Sequence, residues 1–225
     1  MSGNSRVLRS HFANLLKSGL PIMIVLQYVL LRIIRLFWGA IRCRSFSGVE
    51  LSPSSTIKGI QYCKIGHKLN IGPNCYINAI GETGIDFGQN VIVGRCTTIC
   101  VSPSIFKLGK GLTIGNNTSL GTHGFFGCAG GVKIGNDVLI GNYVSIHSEN
   151  HCYSDTTRPI REQGVFYKGG ITIGNDCWIG AKATILDGTK IGNGCIVAAG
   201  AVVSGIFPEN AIIGGVPAKV IKFRV

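Results

Sequence analysis

The residues best suited to chemistry stand together in one short run, Ile146-His147-Ser148-Glu149-Asn150-His151. An imidazole with an ordinary pKa of about 6.5 can take a proton from a hydroxyl at neutral pH. Either histidine could therefore serve as a general base, and Glu149 could orient one of them. His147 directly follows an inward-pointing aliphatic, so it faces outward. A third imidazole, His123, lies in an earlier turn and could line the same cleft. Three imidazoles can also hold a catalytic zinc, which keeps a metal reading in play. His11 and His67 are read as incidental.

A strict repeat positions this run. Ile173, Ile179, Ile185, Ile191, Val197 and Val203 are spaced six residues apart. The same interval joins Ile65, Ile71 and Ile77; Phe87, Val93 and Ile99; Leu108, Ile114 and Leu120; and Ile134, Ile140 and Ile146. A period of six fits neither a helix nor an alternating strand. It fits a parallel β-helix, each hexapeptide forming one flat side of a prism. One inward aliphatic gains about 1.5–3 kcal/mol on burial, while ordering each backbone residue costs about 1–2 kcal/mol. A lone hexapeptide therefore loses, and stability comes from stacking. Gly-Asn and Asn-Asp pairs such as Gly115-Asn116-Asn117 and Gly135-Asn136-Asp137 mark the corners, because both residue types tolerate left-handed backbone angles. The excursion from His147 to Gly170 has no periodicity of its own, which marks it as functional. The expected organisation is an N-terminal helical segment over 1–48, the coil over 49–205 with its insertion loop at 147–170, and a C-terminal cap over 206–225.

Composition narrows the function classes. The chain has 225 residues, with 33 Gly, about twice an ordinary share, and only 14% charged residues. Nine Cys without a CxxC pair, and no cleavable signal segment, suggest a reducing cytoplasm. Cys63, Cys75, Cys177 and Cys195 fall where a small side chain points inward. The formal charge is +12, yet no acid precedes Glu50, and Arg6, Arg9, Lys17, Arg32, Arg35, Arg42 and Arg44 all do. No zinc finger, basic reading helix or aromatic platform points to nucleic acid. Leu20 to Leu31 is uncharged, and Tyr28, Arg32, Arg35 and Arg42 share one helical stripe. Residues 10–42 are read as a helix lying in a membrane interface, on the inner face of the cytoplasmic membrane. The alternatives are a helix capping the coil or joining subunits, and a true span.

The C-terminal part carries a resemblance. Asp176-Cys-Trp178-Ile-Gly180-Ala181, Val197-Ala-Ala199-Gly200-Ala201-Val-Val203 and Gly214-Gly-Val-Pro217-Ala218-Lys219-Val-Ile221 resemble the hexapeptide-repeat acyltransferase family. Within it the chain is similar to maltose/galactoside acetyltransferases and to O-acetyltransferases of surface polysaccharide biosynthesis. The resemblance covers roughly residues 50–225. It implies a left-handed coil with three hexapeptides per turn, and a homotrimer with active sites between subunits. It also implies acetyl-CoA as acyl donor and His151 as base, five residues past Ile146. Direct transfer needs no acyl-enzyme, so Cys152 is not expected to act, and no metal is expected. The donor positions carried over are Trp178, Ala181, Ala199, Ser204, Lys219 and Lys222. Small residues at 181 and 199 would admit the pantetheine arm, and the lysines would meet phosphate. Two positions depart from the family pattern: relatives often have Asn where Gly121 stands and Lys where Gly205 stands.

The acceptor is expected to be a sugar or oligosaccharide of O-antigen or capsule, read by residues 152–170 and 121–131. Arg158, Arg161, Gln163 and Asp155 supply polar groups there. The competing readings are an N-acetyltransferase of an amino sugar or antibiotic, a non-catalytic scaffold, and a zinc carbonic anhydrase on the same coil. The four-residue spacing of His147 and His151 is not that of the last family.

Overall fold

The computed structural model describes residues 21–43, 48–104 and 106–225. It opens with one helix, α1, Ile22–Cys43. The part of the expected helix before residue 21 lies outside the described residues. A solenoid of short strands follows, in three parallel sheets of nine, seven and seven strands, the first of which ends in one antiparallel strand. Sheet 1 begins at Glu50–Leu51, sheet 2 at Thr56–Lys58 and sheet 3 at Cys63–Ile65. The chain visits the three sheets in turn, which is the prism that the period implied.

In the regular coils, partners lie eighteen residues apart, three hexapeptides per turn: Ile173 over Ile191, Ile179 over Val197, Ile185 over Val203. Their side chains fill the prism, and each is at most 2% exposed. Phe126 takes the inward place between Leu120 and the Val132 strand, fully buried. Leu108 breaks the expected run, since it is 48% exposed. Val101 instead fills the core there, and the chain from 102 leaves the prism before rejoining sheet 3 at Leu112–Ile114. Cys75, Cys177 and Cys195 are buried as expected, whereas Cys63 is only half-buried. All nine cysteines are free thiols. Burial pushes the Cys177 thiol up to about 11.

The corners have two separate requirements. The left-handed residue is the third after the aliphatic, as at Asn117 (φ 55°), Asp137 (φ 58°) and Asp176 (φ 52°). The Asn before it builds a ladder, its side-chain oxygen accepting from the Asn backbone N–H one coil earlier. These bonds run Asn116 to Asn136 (2.7 Å), Asn136 to Asn175 (2.8 Å) and Asn175 to Asn193 (2.8 Å). The Gly after the aliphatic is needed for close stacking, not for backbone angle. A Cβ on Gly141 would sit 2.6 Å from the Ala181 nitrogen. Gly141→Ala should therefore cost about 1–3 kcal/mol through overpacking, read as a lower denaturant midpoint.

Both ends are covered. Arg32 Nε pairs with Glu50 Oε1 at 2.9 Å, and Arg35 donates to the Asn70 side chain (2.6 Å) and the Ile71 carbonyl (3.0 Å). Gly39 of α1 lies so close to the Val49 carbonyl that no Cβ would fit. At the far end the sheets run on past residue 205: Ile206–Phe207 lies on Lys190–Ile191, and Ala211–Gly215 continues sheet 1. Ala218–Phe223 folds back antiparallel on it, and Arg224 Nη1 pairs with Asp176 at 3.0 Å.

Candidate active site

The edge where sheet 2 turns toward sheet 3 carries the irregular segments. Here the chain leaves the prism at 102–111 and again after His147. Ser145–His147 is the last strand of sheet 2 before the long loop. Asn150–His151 then pairs antiparallel with Val165–Phe166, so the loop returns on itself as a small two-stranded arm. The intervening turn holds a short 3₁₀ segment at Ile160–Glu162.

A cleft of about 250 Å³ opens beside this arm, lined by His147, Glu149 and His151 together with Cys100, Phe125 and Gly127. In sheet 2, Cys100, Gly127 and His147 stack at the same strand position on successive coils. The missing side chain at 127 forms the floor of the cleft. The His147 ring tilts against Phe125, centroids 5.4 Å apart, and its Nε2 lies 2.7 Å from the Ser145 hydroxyl. Desolvation holds the His147 pKa below the usual imidazole range, so the ring is neutral at pH 7. In an NMR titration His147 should take up its proton at lower pH than a model imidazole. A midpoint at or above about 6.5 would contradict its partly desolvated setting. Because desolvation depresses the folded pKa, the fold carries no penalty for this ring above its unfolded value, and stability is lost as pH falls through the folded one.

Glu149 does not reach a histidine by hydrogen bond. It accepts from the Tyr167 hydroxyl at 3.2 Å. Burial raises the Tyr167 pKa, which keeps the phenol a donor. Lys107, from the earlier excursion, lies over the Tyr167 ring at 5.1 Å. The loop is anchored from below by Asp187, only 3% exposed. One Asp187 oxygen accepts from Asn150 Nδ2 (2.8 Å) and the Lys168 backbone (2.5 Å), the other from the Gly170 backbone (2.9 Å). Asp187 thus ties both legs of the loop to one buried carboxylate. Lys107, Tyr167 and Asp187 were not found by sequence reasoning. The one hint was an Asp directly after the Thr184–Leu186 strand, at the edge where the loop leaves.

The remaining expected residues lie elsewhere. His123 does not line the cleft. It sits at an ordinary corner between sheets 1 and 2 with φ 57°, stacked on Tyr143 at 4.8 Å, its Nδ1 buried without a partner. The three imidazoles therefore do not converge, and no trio of His, Cys, Asp or Glu among the described residues is placed to hold a metal. Arg158 turns back to the Glu162 carbonyl (2.8 Å) within the loop. Trp178 stands on the outer face of sheet 1, 55% exposed, between Leu139 and Ile196. Ala181 and Ala199 occupy successive turns of the sheet 1–2 corner, exposed or half-buried. Ser204 follows the sheet 2 strand Val202–Val203 on the same coil as Ala199, and Lys219 and Lys222 are exposed on the terminal strand. None of these donor candidates lines the histidine cleft.

Known proteins are similar to this chain in sequence and in fold. Residues 170–205 match the model for the bacterial transferase hexapeptide (six repeats). WbbJ of Escherichia coli K12, which carries the name of a lipopolysaccharide biosynthesis O-acetyl transferase, is 34% identical over 155 residues, covering 66% of this chain and 75% of WbbJ. The chain belongs to the hexapeptide-repeat acetyltransferase family. Rv3034c of Mycobacterium tuberculosis, named an acetyltransferase, is another relative in this family, 34% identical over 68% of this chain. This chain spans about half (49%) of that protein's length. Among solved structures, AntD of Bacillus cereus, an N-acyltransferase crystallised with dTDP and coenzyme A, superposes with a TM-score of 0.51 over 79% of this chain and 82% of its own, at 20% identity. That likeness concerns the fold.

Proposed function

We propose that this acetyltransferase moves an acetyl group from acetyl-CoA to a sugar hydroxyl, with His151 as general base. The acceptor proposed is a saccharide of a surface polysaccharide or its precursor, as the name of WbbJ suggests. The observation that carries the reading is the cleft, lined by two histidines together with Cys100, Phe125 and Gly127, beside a loop tied to a buried carboxylate. In the proposed step His151 takes the proton as the hydroxyl oxygen attacks the thioester carbonyl. The tetrahedral intermediate then expels the thiolate, which recovers the proton from the imidazolium. Ester and free CoA thiol result, and no covalent enzyme intermediate is needed.

The site is proposed to be completed between protomers of a homotrimer. The outer columns support this. Sheet 3 presents Lys64, Asp86, Lys133 and Lys190 to solvent, whereas the middle of sheet 1 presents the exposed Ile92, Leu139 and Trp178. An exposed apolar column of this kind suits contact with a neighbouring copy. Sheet 2 of one protomer, with its cleft, would then meet the donor residues of the next.

The test is incubation with acetyl-CoA and a panel of nucleotide sugars, oligosaccharides and amino sugars, following free thiol. Acceptor-dependent thiol release with a neutral saccharide is expected. Release only with amino sugars would shift the reading to N-acetylation, and none with any acceptor would overturn it.

A further inference from the structure

Helix α1 is mounted with its charged side inward. Arg32 and Arg35 point to Glu50, Asn70 and the Ile71 carbonyl, on the side where Val25 and Gly39 are buried. The opposite stripe is Met23, Leu26, Leu30, Ile33, Phe37 and Ile41, at spacings of three and four. These side chains are 52% to 74% exposed, and none is polar. A helix on a water-facing surface shows the reverse arrangement. The helix is long and apolar enough to cross a bilayer. Its middle, however, is pinned to the coil by the Arg32–Glu50 pair and by the close approach of Gly39 to Val49. A span would have to break both.

We propose that this stripe lies in the surface of an anionic lipid bilayer, with the coil held behind it. Charge selects that occupant over a second copy of the chain. Arg6, Arg9 and Lys17 precede the helix in sequence, Arg42 ends it, and no acid occurs before Glu50. Two such segments face to face would oppose cation to cation, whereas anionic headgroups complement them. The apolar stripe supplies partition into the acyl boundary, and the flanking cations supply attraction to the headgroups. This reading is independent of the transfer chemistry.

The experiment is flotation of the full chain with vesicles of phosphatidylcholine alone or with phosphatidylglycerol added. Binding is expected to the anionic vesicles, weaker to the neutral ones and reduced by salt. The double substitution Leu30→Glu, Phe37→Glu should weaken binding about tenfold or more. It alters only outward side chains, so thiol release with a soluble acceptor should not change. Equal binding of wild type and double variant would overturn the proposal. So would absence of binding to both vesicle types. A fall in oligomeric state caused by the double variant, without vesicle binding by the wild type, would assign the stripe to a second copy instead.

Discussion

Alanine at position 151 is expected to lower acetyl transfer by about 100- to 10,000-fold, the usual worth of a positioned base. The loss should fall on kcat, with acetyl-CoA affinity nearly unchanged, because the residues proposed to hold the donor are other than those lining the cleft in this chain. The fold should survive. The His151 side chain is exposed, and what holds the residue in place is backbone pairing with Val165. Steady-state kinetics with calorimetric donor binding checks both halves. His147→Ala is the informative companion. His147 touches Phe125 and Ser145 and shares the cleft, so its removal should perturb acceptor KM more than kcat. If His147→Ala abolished turnover and His151→Ala did not, the base would have to be reassigned to His147.

Asp187→Ala should be the most damaging change outside the cleft. Three donors lose a buried acceptor at once, and each unsatisfied buried donor costs about 1–3 kcal/mol. Part of that cost is avoided by releasing the loop into water, so about 3 kcal/mol of stability is expected to go. The functional effect should be larger than the stability effect. Asn150 begins the two-stranded arm that carries His151 and Lys168 follows it, so with the anchor gone the arm is no longer held over the cleft. Trypsin should then cut at Arg161 or Lys168 under conditions that leave the wild type intact. Asp187→Asn should not rescue, since it turns one accepting oxygen into a donor facing N–H groups. A variant with unchanged protease resistance and turnover would show that the loop is held by other means.

What could be read from the sequence, and what could not, follows from the range of the forces involved. The prism was legible because its core is filled by one aliphatic every six residues, a local pattern that 173–203 repeats without fault. Leu108 misled because it keeps the interval while its segment has left the coil, and periodicity alone cannot show that Val101 fills the core in its place. The corner glycines were legible as corners but for an incomplete reason. Close stacking against the next coil, an inter-coil constraint, is what excludes a Cβ at Gly141. The histidine run was visible from its position at the end of a regular stretch. Its supports were not: Lys107, Tyr167 and Asp187 come from separate stretches of the chain and meet only because successive excursions leave the prism at one edge. His123 was grouped with the other histidines by residue type, whereas the prism places it on a different corner. The arginine stripe of α1 was visible as a stripe. Its direction depended on Glu50 and Asn70, which lie in the coil.

The arrangement of the active site across protomers is tested most directly by mixing two inactive variants. His151→Ala lacks the base but keeps the donor face. Ala199→Trp keeps the base and fills the exposed corner along which the pantetheine arm is proposed to run. Neither should turn over alone. Refolded or coexpressed together, they should regain part of the wild-type thiol release, because some interfaces then join an intact His151 to an intact donor face on the neighbouring protomer. Mixed assemblies that form but remain inactive would contradict a shared site, as would a fully active monomer.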